Sequence, residues 1–173
     1  MIEQIDTKEF DRIYEIMEKS FPEDERRPYS EQKQLLFLDE YRVFVSRDDL
    51  SREISSFIAA WRLDGLLFIE HFATAPEFRG QGVGGRLLDE VITGTDGDVC
   101  LEVEPPDSDI CRRRIGFYER HGFFLNDYPY VQPPISSGRT PVALMLMTAR
   151  GEIDEHRFAE IRDMLYRRVY KCI

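Results

Sequence analysis

No apolar run in this chain approaches the roughly 18–20 residues needed to cross a bilayer as a helix. Its first residues, Met1-Ile2-Glu3-Gln4-Ile5-Asp6, lack the basic and apolar regions of a signal peptide. Cysteine is scarce: there are three, an odd number without metal-ligand spacing. That count argues against a disulfide framework and a thiolate metal site, and for reduced thiols. A cytoplasmic protein with no membrane partner and no metal is the expectation. Basic charge is also in deficit, with 23 Lys and Arg against 33 Asp and Glu and a formal net charge of −10. Nucleic acid is bound by cationic surface, so no nucleic-acid partner is expected, whereas a cationic acceptor such as an amine is mildly favoured. Arg112-Arg113-Arg114 is a local exception, read either as a solvated helix face or as a contact to the nucleotide end of a cofactor.

Repeats, low-complexity tracts and linkers are missing as well. The 173 residues therefore read as one domain, 1–173, long enough for a real core, with 151–173 as a C-terminal packing helix or part of a dimer contact. Ile2 to Ile5 suits a short strand. Phe10, Ile13, Met17 and Phe21 mark an amphipathic helix with Thr7 as its N-cap, and Ser30 can cap a second helix through Leu35 to Leu38. Strands follow at about Tyr41–Arg47, Glu53–Arg62 and Leu66–Thr74, with Trp61 and the Phe57-Ala59 positions in the core. After them come a helix from Val83 towards Gly94, a strand at Val99–Glu104 that carries Cys100 and stops at Pro105-Pro106, and a helix from Asp109 to His121. Phe123–Tyr130 and Val142–Thr148 read as the last strands. Ile153, Phe158, Ile161, Leu165 and Val169 recur at helical spacing in the tail.

What stands out against this background is Arg79-Gly80-Gln81-Gly82-Val83-Gly84-Gly85-Arg86, between an apolar strand and a helix. Gly80, Gly82, Gly84 and Gly85 remove the side chains that would keep a ligand off the backbone. The amides of the turn and the positive end of the helix dipole suit a phosphate or pyrophosphate. A Walker loop is excluded, because neither Lys nor Ser or Thr follows the last glycine. The spacing of Gly80, Gly82 and Gly85 fits a dinucleotide fingerprint, but that pattern alone is weak.

The surrounding residues carry more. Arg79-Gly80-Gln81-Gly82-Val83-Gly84, after a strand ending Phe72-Ala73-Thr74-Ala75-Pro76, resembles the acetyl-CoA signature of the GNAT-type N-acetyltransferases. Arg114-Ile115-Gly116-Phe117-Tyr118-Glu119-Arg120-His121-Gly122-Phe123 resembles the family's later helix, in which a tyrosine precedes a Gly-Phe turn. The likeness covers Met1 to about Thr148 as architecture and is specific in motif over Leu66–Leu88 and Val99–Phe123. It implies an α/β fold of the acyl-CoA N-acyltransferase type, a mixed, mostly antiparallel central sheet with splayed central strands flanked by helices. It also implies acetyl-CoA as co-substrate, a small-molecule or protein amine as acceptor, and it allows a homodimer.

By the same resemblance, the backbone of Phe72, Ala73 and Thr74 pairs with the pantetheine arm, and the amides from Gly80 through Gln81, Gly82, Val83 and Gly84 to Gly85 hold the pyrophosphate. Gln81 and Arg86 can add side-chain bonds. Tyr118 stands where the family places its general acid for the leaving thiolate, which implies that role for it. An alkylamine has a pKa near ~10.4, so about one in 10³ is neutral at pH 7 and a base is needed. Glu70 ranks first for that role, Glu102 second and Glu104 third. Strand alternation places Phe68, Glu70, Phe72 and Thr74 on one face and His71, read as a packed or surface histidine, on the other. Cys111 stands where many relatives carry a cofactor-contacting asparagine. The acceptor pocket maps to Glu23, Asp24, Glu25, Arg26, Tyr128, Tyr130 and Gln132, and Arg26 and Arg27 suit a carboxylate. No cysteine or serine stands in a nucleophile setting, which implies direct transfer in a ternary complex. The alternative is a non-catalytic acyl-CoA-binding or sensor module, which needs the glycine turn but neither Glu70 nor Tyr118.

Overall fold

The computed structural model describes residues 3–172. Its elements run β1 (Glu3–Gln4), α1 (Phe10–Ser20), α2 (Tyr29–Gln34), β2 (Tyr41–Arg47), β3 (Ile54–Leu63), β4 (Leu66–Thr74), α3 (Val83–Thr93), β5 (Asp98–Val103), α4 (Asp109–Arg120), β6 (Phe123–Gln132), β7 (Val142–Ala149) and α5 (Glu155–Arg168). Element order agrees with the sequence reading throughout. Ile2, expected in the first strand, lies outside the described residues. Two compact units divide the chain, Met1–Val99 and Cys100–Ile173.

In the first unit β1, β2, β3 and β4 form antiparallel neighbours in chain order. Only Arg62 of β3 is exposed, so this strand is covered on both faces, which is why it reads as an apolar run rather than an alternating one. Successive strand residues point to opposite faces. His71 meets the Phe21 ring just after α1, while Phe72 and Thr74 lie against Gly84 of α3, so the two helices cover opposite faces. Helix α1 contributes Phe10, Ile13, Ile16 and Met17, and α3 contributes Leu87, Leu88 and Val91, all buried at helical spacing. Each such side chain contributes about 1.5–3 kcal/mol when fully buried.

Both expected caps of this unit move. The Asp6 carboxylate, not Thr7, accepts from the Lys8 amide at 3.0 Å and opens a short 3-10 turn ahead of α1. Ser30 lies inside α2, whose start is set by Pro28; proline suits a helix start because it has no N–H to leave unbonded.

A larger departure concerns β4. Ala59 pairs with His71 and Ala60 with Ile69, so Glu70 is an extra residue in a β-bulge. A bulge breaks the two-residue alternation and re-aims its side chain. Glu70 therefore joins His71 towards the loop between α1 and α2, instead of sharing a face with Phe72 and Thr74.

In the second unit β5, β7 and β6 lie side by side, all antiparallel. Ser108 caps α4, its hydroxyl accepting from the Cys111 amide at 3.2 Å, and Gly122 ends the helix at φ +81. Strand β6 is also bulged: Asn126 faces Leu146 and Tyr130 faces Leu144, leaving Asp127, Tyr128 and Pro129 opposite Met145 alone. Proline cannot donate to a ladder, so its place in the bulge costs no strand pairing. The bulge also holds the approach to α5. The Ile153 amide donates to Asn126 at 3.0 Å and the Tyr128 hydroxyl donates to the Ile153 carbonyl at 3.3 Å. Phe158, Ile161 and Leu165 then bury one face of α5.

Among the described residues no helix is long and apolar enough to cross a membrane. No group of three His, Cys, Asp or Glu side chains is placed to hold a metal ion among them either.

Candidate functional site

The glycine turn leaves its backbone uncovered by side chains ahead of α3. Gly80 and Gly82 have φ of +77° and +72°, values that cost an L-residue strain and glycine almost nothing. Gly82 is also the N-cap of α3, and having no side chain it leaves the helix without a side-chain cap. The first amides of a helix lack intrahelical acceptors. The ladder begins where the Arg86 amide donates to the Gly82 carbonyl at 3.1 Å. The amides of Val83, Gly84 and Gly85 therefore precede it at the positive end of the helix dipole, an arrangement that fits the pyrophosphate of acetyl-CoA.

Gly84 also serves packing. A Cβ there would stand 2.4 Å from Thr74 Oγ1 and 3.1 Å from Phe72 Cζ, so its missing side chain lets α3 lie against β4. The arginines brace the turn from within. Arg86 donates to the Gln81 carbonyl at 3.2 Å and Arg79 to the Thr74 carbonyl at 3.3 Å, while the Gln81 amide reaches the Glu77 carbonyl at 3.4 Å. Phe72, Ala73 and Thr74 pair with Ile58, Phe57 and Ser56 of β3, which holds that backbone extended.

Glu70 lies among fixed charges. Its Oε1 accepts from Arg27 Nη1 at 2.7 Å, and the two side chains are only 1% and 6% exposed. The guanidinium also lies 5.9 Å from the centre of the Trp61 ring, a cation–π contact. His71 Nδ1 stands 3.4 Å from the other carboxylate oxygen, too long for a well-formed hydrogen bond. The His71 Nε2–H donates to the Glu25 carbonyl at 2.7 Å; a carbonyl only accepts, so this nitrogen carries a proton. Burial, the largest influence, would raise the Glu70 carboxyl, but the Arg27 charge and the His71 contacts overcome it and bring the pKa to about 2. Such a group keeps its charge and takes up a proton poorly near neutrality.

These contacts also order the loop before α2. Arg27 receives the Tyr14 hydroxyl on its carbonyl at 3.0 Å, and Arg26 donates to the same hydroxyl at 3.0 Å. The sequence named Arg27 only as a seat for a carboxylate. The partner it finds is Glu70, 43 positions away.

In the second unit, Tyr118 lies on the buried side of α4, edge-on to Phe117 and Phe123 with ring centres 5.4 and 5.7 Å away. Burial pushes its phenol up to about 12 against a smaller lowering by Arg114. It is therefore a protonated donor at any physiological pH. Glu102, half-buried on β5, accepts from the hydroxyls of Tyr130 and Tyr170. Glu104 pairs with Arg114. Cys111 is tied into the helix cap, with Ser108 Oγ 3.0 Å and Glu104 Oε2 3.6 Å from its sulfur. Neither phenol's link to Glu102 was legible beforehand, although aromatic residues two apart on one strand, Tyr128 and Tyr130, hinted at a patterned edge.

A family model described as the acetyltransferase (GNAT) domain matches residues 39–124. A solved structure from Bacteroides thetaiotaomicron, assigned to the GNAT acetyltransferases, is 30% identical, covers 100% of this chain and 99% of its own, and superposes with a TM-score of 0.87. YjbC of Bacillus subtilis, assigned as an acetyltransferase, is 29% identical over 112 residues, which are 64% of this chain and 55% of that relative's length. The ribosomal-protein-S18-alanine N-acetyltransferase of Escherichia coli shares the fold at 19% identity, with 89% of this chain and 95% of that one covered and a TM-score of 0.62. By its full-length likeness to the Bacteroides protein and by its glycine turn, the chain belongs to the GNAT family of acetyltransferases.

Proposed function

We propose that this acetyltransferase takes acetyl-CoA as co-substrate and acetylates a primary amine directly, without an acyl-enzyme. The observation that carries the reading is the uncapped start of α3, where glycines with left-handed φ present backbone amides to an anion. When bound, acetyl-CoA supplies an activated thioester. The chain's own residues supply the rest. The amides of Val83, Gly84 and Gly85 hold the pyrophosphate, and the extended backbone at Phe72, Ala73 and Thr74 aligns the pantetheine arm. Tyr118 donates its phenolic hydrogen bond towards the departing sulfur.

For the amine proton, Glu102 suits better than Glu70. A general base works best with a pKa near the operating pH and must be reached by the proton it takes. Glu70 fails on both counts, being held at about 2 and shut against Arg27. It serves as an anchor for the loop before α2. The acceptor is read from the family likeness as a primary amine, on a small molecule or a protein, and the −10 net charge mildly favours such a cation.

Release of free thiol from acetyl-CoA, followed over a panel of alkylamines, polyamines and peptides with a free N-terminus, tests the reading. Amine-dependent release with acetyl transfer confirmed by mass is expected. Binding of acetyl-CoA without release for any amine would favour the non-catalytic acyl-CoA sensor instead.

A further inference from the structure

We infer that Tyr170, beyond the end of α5, is a positioning residue for Glu102, fixing the carboxylate at which the acceptor amine gives up its proton. The inference rests on the reading of Glu102 above and adds the C-terminal tail to the acceptor side of the reaction. Helix α5 ends by doubling its last acceptor: the amides of Val169 and Tyr170 both donate to the Leu165 carbonyl, at 3.0 and 3.1 Å. That turn buries Val169 and Tyr170. The Tyr170 hydroxyl then lies 2.8 Å from Glu102 Oε1 and 2.7 Å from Oε2, a forked donation to one carboxylate. Tyr130, delivered by the β6 bulge, donates to Oε1 from its own side.

A glutamate has three rotatable side-chain bonds, and holding it still costs rotamer freedom. Two hydrogen bonds to a charged acceptor exceed that cost. The carboxylate is therefore fixed in direction while still partly exposed. Tyr130 stays a donor throughout: burial first, then the Glu102 charge, raise its phenol well above the ordinary value. Titratable groups that face Glu102 include Tyr130 from β6, Tyr166 from α5 and Tyr170 from the tail, and Cys100 of β5 faces Tyr130 in turn.

The fold supplies its own control. Tyr166, four residues before Tyr170, also ties the C-terminal segment down, but its one hydroxyl proton goes to the Val131 carbonyl, at 2.6 Å. Tyr166→Phe removes a docking bond only; Tyr170→Phe removes a docking bond and a donor to the carboxylate. The Glu102 carboxyl is followed by carbon NMR across pH in both variants, and acetyl transfer is followed over the same range.

Loss of a donor to the charged form raises the pH at which a carboxyl titrates, here by about one unit. Tyr170→Phe is expected to move the Glu102 titration and the acid limb of the rate profile up together, with Tyr166→Phe leaving both in place. Equal behaviour of the two variants, or a Glu102 titration unmoved in Tyr170→Phe, would overturn the inference. A moved titration with an unmoved rate limb would overturn Glu102's part in the transfer. Wild-type protein that turns over no amine would sink the enzymatic reading alone, since the titration needs no activity.

Discussion

Tyr118→Phe is expected to lower kcat by about 10²-fold, the smaller end of the range for losing a general acid, while leaving acetyl-CoA affinity within about twofold. The substitution keeps the ring that packs against Phe117 and Phe123, so stability is conserved apart from the hydroxyl's own contacts. The phenol's pKa of about 12 decides how it acts. A simple thiol has a pKa near ~8.5, so full proton transfer from this phenol to a thiolate is uphill by about 5 kcal/mol. On the proposed mechanism the phenol would therefore stabilise the sulfur by a strong hydrogen bond as charge develops. It loses its proton only as far as the leaving group demands. The wild-type profile should carry no alkaline limb from Tyr118 below about pH 11, because burial keeps the group protonated. Comparing kcat and the Kd for acetyl-CoA in the two proteins checks this. Turnover preserved within a factor of two would remove Tyr118 from the chemistry.

The second large effect is on stability. Arg27→Met leaves the Glu70 carboxylate in a site that is 1% exposed without its guanidinium, and removing one member of a buried pair costs about 3–5 kcal/mol. At this chain length that lowers Tm by roughly 10 °C. The pH dependence should invert. In the wild type the folded carboxyl titrates at about 2, below its ordinary 4.5. It therefore contributes stability above about pH 4.5 that is lost as pH falls through 2, worth roughly 3 kcal/mol. Without Arg27, burial dominates and raises the carboxyl above its unfolded value. The variant's largest relative loss then comes at neutral pH and shrinks as pH falls towards 4.5. Arg27→Met/Glu70→Gln should recover part of the loss. Thermal unfolding at pH 7 and pH 5 checks the sign. A variant within 2 °C of wild type at both values would show that the pair does not hold the loop.

The fold was legible where periodicity speaks. The apolar positions of α1, α3 and α5, the stop glycines Gly94 and Gly122, and the strand at Tyr41–Arg47 all lie where their spacing places them. The glycine turn was legible because glycine adopts the φ of Gly80 and Gly82 at the least cost. The caps at Asp6 and Pro28 were missed by one or two positions because several polar residues there can begin a helix.

What stayed hidden depends on register. The bulge at Glu70 has no local signature in Phe68-Ile69-Glu70-His71, yet it moves the carboxylate across the strand and onto Arg27. The meeting of Tyr130, Tyr170 and Glu102 joins residues up to 68 positions apart through a second bulge and a helix end. Neither follows from a residue's neighbours in the chain.

The most direct test of the account is calorimetric titration of the wild type and of Gly84→Val with acetyl-CoA, ATP and NAD. Selective, micromolar binding of acetyl-CoA by the wild type is expected. At least tenfold weaker binding is expected of the variant, whose added side chain pushes the start of α3 off Thr74 and Phe72. Equal binding of all three ligands by the wild type, or acetyl-CoA affinity unchanged in Gly84→Val, would contradict the account.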